Sequence, residues 1–371
     1  MSSVKKYGLL WGMIVLAGVL LLPTPAALPT AGHRMLGILI FSVVIWMTEA
    51  VSCPVSGAII MTLMAFLLGT APDMANPAKL LGTGAALKLA LDVQAHRATL
   101  LGEALATFGP ARVGLVLGTS TAGIGEAELA VAAARRGEAV PLVFDYRQQE
   151  LGSPSEFLAR HLGLEGPAYT LSTACSSSAR AFISGQRMLA AGLVDAVLVG
   201  GADSLCGLTL NGFDSLESLS CARCQPFDEA RQGINIGEGA ALFLLSRQPA
   251  PIALLGAGES SDAWHISAPH PDGVGAEAAM GMALAQAGLT PEQVGYINLH
   301  GTATRLNDAM ESQAVYRLFG DRVPCSSTKP LTGHVLGAAG AIEAALACLL
   351  LEAFLCLPRH TAKRPSPTIR P

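Results

Sequence analysis

Three long apolar runs open the chain. Residues 8–22 carry no charge, with Lys5 and Lys6 before them and Pro23 and Pro25 after. Residues 35–48 are apolar up to Glu49, and residues 55–69 form a third run after Pro54. Each falls a little short of the roughly 18–20 residues that cross a bilayer comfortably, and weakly polar neighbours extend each. A signal peptide fits the first run loosely, through its Lys-bearing start and the small residues 26–31. Two further runs with almost no charge argue against simple secretion, and for membrane helices over a buried core. After about Asp92 the pattern changes to short apolar runs alternating with helical periods. Residues 113–117, 196–199 and 240–245 read as buried strands, and residues 118–125 as a tight turn from strand to helix. A second half repeats the rhythm. Strands are expected at 252–255 and 296–299. Helices are expected at 276–287, ended by Gly288, at 307–318 and at 340–352. Strands alternating with helices, twice over, predict a mostly parallel, layered α/β architecture.

The stretch 171–178, Leu-Ser-Thr-Ala-Cys-Ser-Ser-Ser, sets Cys175 among small polar residues. Phe182, Ile183, Leu189 and Ala190 follow at helical spacing, with Gly192 as a stop. Cys175 is therefore expected at a helix N-terminus, where free N–H groups and the helix dipole favour a thiolate. Such a thiolate is a nucleophile for an acyl group; a buried structural cysteine is the plainer alternative. Composition narrows the classes. The chain has 371 residues, a net charge of −4 and 14% charged residues, with no basic patch for nucleic acid. Eight cysteines in this length are too sparse for a disulfide scaffold and suggest a reducing compartment. Cys221-Ala-Arg-Cys224 is the only CxxC, without the second pair a zinc site needs, and no metal is expected. The turn at 118–125 lacks the Lys-Ser/Thr of a P-loop.

Polar residues recur at strand ends, where ligands bind in open α/β sheets. His300 follows the strand at 296–299 and opens His-Gly-Thr-Ala-Thr, a small-residue turn that leaves its imidazole facing a cleft. His334 sits in a Gly-rich loop after 323–327, with Lys329 nearby. Either histidine alone suits a structural role. Both together with a helix-capping cysteine point to one site.

Two resemblances follow. Gly-His-Arg-Met-Leu-Gly at 32–37, Trp46-Met-Thr-Glu-Ala50 and Leu80-Leu-Gly-Thr-Gly84 resemble the opening of the divalent anion:sodium symporter family, over about residues 7–91. From about residue 92 the chain resembles a β-ketoacyl-acyl carrier protein synthase of the thiolase-like fold. The motifs are Thr173-Ala-Cys-Ser-Ser177, Pro226-Phe-Asp228, Gly237-Glu-Gly239, His300-Gly-Thr-Ala-Thr304 with Asn307-Asp308, and Ser327-Thr-Lys329 through Gly333-His334 to Gly340-Ala-Ile-Glu343. The resemblance implies a layered α-β-α-β-α fold of two duplicated halves. The family's opening strand–helix unit, central to its first half-sheet, and its closing Gly/Phe-rich strand, which supplies an oxyanion-hole N–H, have no counterpart in the chain. A fusion or a broken reading frame is the expected origin. The divisions are then 1–91, membrane helices in two or three spans; 92–248, the half bearing the nucleophile; 249–357, the half bearing both histidines; and 358–371, a disordered basic, Pro-rich tail.

The implied chemistry is decarboxylative condensation. Cys175 accepts an acyl chain, and His300 and His334 hydrogen-bond the thioester carbonyl of malonyl-carrier protein. Lys329 and Glu343 form the charged pair around the second histidine. Thr302 and Thr304 hold the phosphopantetheine arm, local turn bonding being the alternative. No cofactor is implied beyond that arm on the acyl carrier protein, the expected partner together with a second synthase subunit in a homodimer or heterodimer. The expected location is the cytoplasmic membrane with the catalytic part in the cytoplasm. Lys5 and Lys6 favour a cytoplasmic N-terminus, so two spans or a re-entrant hairpin, not three spans, keep Cys175 inside. A non-catalytic, chain-length-factor-like partner subunit and an anion-transporter fragment are the competing readings.

Overall fold

Residues 3–23, 98–142, 144–265 and 267–353 are described by a computed structural model of the chain. The chain divides into two compact units, residues 1–81 with 349–355 and residues 82–348 with 356–371. In the first, the described N-terminal segment is helix α1 (Ser3–Leu21). Beyond Lys6 this helix has 15 uncharged residues, about 22 Å of rise against a hydrocarbon core of about 30 Å. Among the described residues no helix is long and apolar enough to cross a membrane, so the expected spans gain no support there. The runs at 35–48 and 55–69 lie outside the described residues, as does the tail after 353.

The second unit is built on a four-stranded sheet. Strand β1 (Val113–Gly118) lies between β2 (Ala168–Leu171) and β3 (Ala196–Asp203), parallel to both, and β3 pairs antiparallel with β4 (Gly239–Ser246). Val113, Leu115 and Leu117 point to one face, against Leu158, Leu198 and Leu242. Val116, Val197 and Val199 point to the other, against Ala181, Met188 and Leu189. Such continuous apolar runs arise when both faces are covered. Each large side chain buried this way contributes about 1.5–3 kcal/mol. Helix α4 (Ser153–Leu162) covers the first face and α5 (Ser177–Ala190) the second. Helices α2 (Ala98–Phe108) and α3 (Ile124–Arg135) flank them, and α6 (Gly207–Ser215) follows β3.

The sheet is continuous from β2 to β4, with no gap where the family's central opening strand has no counterpart: β1 pairs with β3 along all of β1, and β3 with β4 along the full length of both. A further strand could join only at an outer edge. The second half is leaner than expected. Its sheet is a two-residue parallel pair, β5 (Ile297–Asn298) and β6 (Cys325–Ser326). Residues 252–255 form no strand, since no ladder partner lies beside them among the described residues. They lead instead into Gly256 and Gly258, whose backbones press on helix α7 (Val274–Ala287): an added Cβ would meet the Ala283 and Ala279 carbonyls at 2.2 and 1.9 Å. Helices α8 (Arg305–Phe319), the short α9 (Lys329–Thr332) and α10 (Ala339–Ala353) complete this half.

Candidate active site

Cys175 lies two residues before α5, with Ser176 as the N-cap residue. The residue before it, Ala174, has φ +53°, a left-handed conformation that costs an L-residue energy and turns the cysteine out of the chain. The elbow is braced locally. Ser177 Oγ accepts the Thr173 N–H at 2.8 Å and donates to the Ala174 carbonyl at 2.6 Å. It is also seated on the sheet. A Cβ at Gly118 would lie 2.2 Å from the Ser178 nitrogen, so only glycine lets the start of α5 settle on the end of β1. On that helix Phe182 is half-buried and Ala190 exposed; Ala181, Ile183, Met188 and Leu189 form the buried face.

His334 is carried by a loop zipped to the segment before β4. Its N–H donates to the Asn235 carbonyl at 2.7 Å, and its carbonyl accepts from the Gly237 N–H at 3.0 Å. Gly333 adopts φ +69° against Gly237, which explains the Gly237-Glu-Gly239 motif in terms of backbone approach. His300 is held from below. Glu311 on α8 accepts the His300 N–H at 2.6 Å and the Gly301 N–H at 2.8 Å. Asp308 accepts the Ala303 N–H at 3.1 Å and the Phe227 N–H at 2.7 Å, joining the Pro226-Phe-Asp228 motif to the same turn.

These three scaffolds bring the expected residues together. Cys175 Sγ is 2.9 Å from His334 Nε2. The His300 and His334 rings are 5.2 Å apart, edge to face at 84°. Lys329 Nζ lies 2.5 Å from Glu343 Oε1 and 3.4 Å from His300 Nδ1. The charged pair thus touches the first histidine, not the second as expected. An ammonium only donates, so Nδ1 of His300 accepts and its Nε2 carries the proton, free to donate into the site.

Burial, then Lys329, hold both imidazoles below their ordinary pKa: His300 well below it, with His334 also contributing, and His334 at about 3. Both are uncharged at neutral pH. The Cys175 thiol moves the opposite way from the expectation. Burial raises it, and Lys329 and the residue's own N–H only partly oppose that rise. Desolvation of the anion outweighs the helix terminus. The resting site is therefore a neutral thiol against a neutral imidazole, and the proton moves when the sulfur attacks.

Thr302 and Thr304 follow His300 and bond each other, Oγ1 to Oγ1 at 2.9 Å. Cys175, His300 and His334 also present one ligand atom each within 4.8 Å of one another. Two residues went unnoticed in the sequence. Glu311 reads there as one acid on a polar helix, yet burial drives its carboxyl up to about 7 although two N–H donors pull it down. Asp203, buried at the end of β3, accepts from Thr119 Oγ1, the Ser120 and Thr121 N–H groups and Thr121 Oγ1, and through its other oxygen from the Ala338 N–H. It ties the β1 turn to the loop after His334. The one available signal was an acid ending an apolar strand.

Residues 85–250 match the N-terminal domain of beta-ketoacyl synthases and residues 252–361 the C-terminal domain. Residues 3–128 match the transmembrane region of sodium:sulfate symporters. The two matches overlap at 85–128, a stretch that includes β1, a strand of the four-stranded sheet, and the start of α3. The 3-oxoacyl-[acyl-carrier-protein] synthase 2 of Rhizobium meliloti (strain 1021) is 39% identical over 222 residues, 55% of this chain and 52% of that protein. Nodulation protein E of Rhizobium meliloti is 36% identical over 218 residues, 56% and 54%. The chain thus spans about half the length of these curated relatives. Among solved structures, a chain of the ketosynthase (ApeO)–chain length factor (ApeC) complex from Xenorhabdus doucetiae is 54% identical, with a TM-score of 0.74 over 80% of this chain and 73% of that one. A beta-ketoacyl synthase from Burkholderia phymatum is 28% identical, with a TM-score of 0.71 over 78% and 74%. The sheet and the motifs that carry the three residues lie within these matched stretches: from residue 85 to 361, the chain belongs to the β-ketoacyl synthase family.

Proposed function

We propose that the chain carries out decarboxylative condensation of an acyl thioester with malonyl-carrier protein. The observation that carries this reading is the 2.9 Å contact between Cys175 Sγ and His334 Nε2, with a second neutral imidazole beside it. Cys175 sulfur attacks the acyl carbonyl, its proton passes through His334, and the carrier thiol leaves with that proton. In the malonyl step the bond to the carboxylate breaks and CO₂ departs. The electron pair moves to the thioester oxygen, where the Nε2–H of His300, and that of His334 in the tautomer with its proton on Nε2, receive the developing charge. The enolate carbon then attacks the acyl carbonyl on Cys175, the carbon–sulfur bond breaks, and the departing thiolate takes one proton from solvent to restore the resting thiol. Each well-placed donor contributes roughly 3–4 kcal/mol to such a step. Lys329, paired with Glu343, fixes the His300 tautomer.

The partners in this reading are the acyl carrier protein and a second synthase subunit. Two neighbours support it: a ketosynthase with its chain length factor, and a type II polyketide acyl-carrier protein in complex with its ketosynthase. Thr302 and Thr304 receive the phosphopantetheine arm; their mutual bond uses one hydroxyl proton and leaves the other to donate. The symporter-like segment is the membrane attachment, which fractionation of the native product tests. The retained Cys175 sets this reading above a non-catalytic partner subunit. Labelled CO₂ release from malonyl-carrier protein tests the condensing step. His300→Ala is expected to lower it about 10²–10³-fold while Cys175 still accepts acyl groups. Wild-type release from both His300→Ala and His334→Ala contradicts the reading.

A further inference from the structure

We infer that Cys175, His300 and His334 form a reversible binding site for a soft divalent cation, zinc, whose occupancy takes the nucleophile out of use. Among the described residues they are the one group of three such ligands. One thiolate and two imidazoles are a zinc-ligand set of the open kind, with three protein donors and a free fourth position. With Zn–S at about 2.3 Å and Zn–N at about 2.0–2.1 Å, a tetrahedron needs ligand atoms about 3.3–3.6 Å apart. The Sγ–Nε2 pair stands at 2.9 Å and no ligand pair exceeds 4.8 Å. Each ligand therefore moves by less than about one ångström.

The surroundings suit a cation. His334 is 2% exposed and its Nδ1 is buried without a hydrogen-bond partner, so rotating the ring gives up no bond at that atom. The nearest fixed cation, Lys329, is neutralised by Glu343 at 2.5 Å, leaving no unpaired positive charge against the metal. The three ligands come from three segments, the α5 elbow and the two histidine loops, each fixed by main-chain bonds. Binding replaces the sulfur–hydrogen bond by a sulfur–zinc bond and releases one proton to solvent. No electron transfer is involved. Among the described residues, the pair Cys221 and Cys224 has no third ligand.

The inference rests on the geometry and not on condensing activity, so the two fail separately. The full chain, stripped with a chelator, is exposed to iodoacetamide with and without zinc, and each cysteine is followed by peptide mass mapping. Zinc is expected to slow labelling of Cys175 at least tenfold and to leave Cys221 unchanged, with full reversal by chelator. His300→Ala removes a direct ligand and is expected to weaken zinc beyond the 10–100-fold typical of losing a second-shell partner. Equal labelling of wild-type Cys175 with and without zinc overturns the inference, as does undiminished zinc affinity in His300→Ala. Protection by zinc without acyl transfer to the metal-free chain supports this site and contradicts the condensing function. Acyl transfer that zinc leaves untouched does the reverse.

Discussion

Adding one methyl group at Gly237 displaces His334. A Cβ at that position would stand 2.3 Å from the Thr332 carbonyl oxygen and 3.2 Å from the Gly333 Cα. Ordinary contact begins near 3.4 Å, so the two segments must part by about 1 Å at the oxygen. The segment that yields carries His334, because the histidine's N–H and carbonyl bond Asn235 and Gly237. Overpacking of this kind costs about 1–3 kcal/mol, which leaves the chain folded. A shift of about 1 Å in a catalytic group costs about 10²-fold in rate, or about 2.7 kcal/mol in the barrier. Gly237→Ala is therefore expected to lower acyl transfer to Cys175 about a hundredfold, with a modest fall in stability. The assay is single-turnover transfer from labelled acyl-carrier protein, with urea denaturation alongside. A rate within twofold of wild type at unchanged stability refutes the claim that this backbone zipper places His334.

Lys329→Met leaves Glu343 largely buried and unpaired, and is expected to cost about 3–5 kcal/mol by urea denaturation. Adding Glu343→Leu to that variant is expected to recover most of the loss. Glu311 controls a pH window. Its carboxyl rises from the ordinary 4.5 to about 7 in the folded chain, so between these values the folded state holds a proton that the unfolded state has released. Its contribution, roughly 3 kcal/mol, is full below pH 4.5 and lost as pH rises through 7. Glu311→Gln is expected to flatten that part of the stability profile, and an unchanged profile contradicts the assignment. Alkylation of Cys175 is expected to keep rising with pH past 9 without an inflection near 6.5, since His334 stays uncharged down to about 3.

Much of this site was legible because its chemistry sits where the strand pattern breaks. Val113, Val197 and Leu242 belong to apolar runs long enough to be strands in any packing, and Cys175, His300 and His334 follow strands or glycines. What tertiary packing decides was not legible. Strand β2 has four residues and is a strand only because β1 lies beside it. Residues 252–255 have strand composition but no ladder partner among the described residues. The thiol pKa follows from how deeply the Cys175 elbow is seated, a matter of Ser178 settling on Gly118, which lies far earlier in the chain. The histidine that Lys329 touches depends on two loops meeting, as does the role of Glu311, which shows at helical spacing only as one acid among polar neighbours.

The central claim is that Cys175 is the acyl acceptor. Intact-mass analysis of the full chain after incubation with acyl-carrier protein tests it most directly. One acyl adduct, mapped to Cys175 and absent from Cys175→Ala, is the predicted result. An adduct that persists in Cys175→Ala, or a wild-type chain that never acquires one, contradicts it.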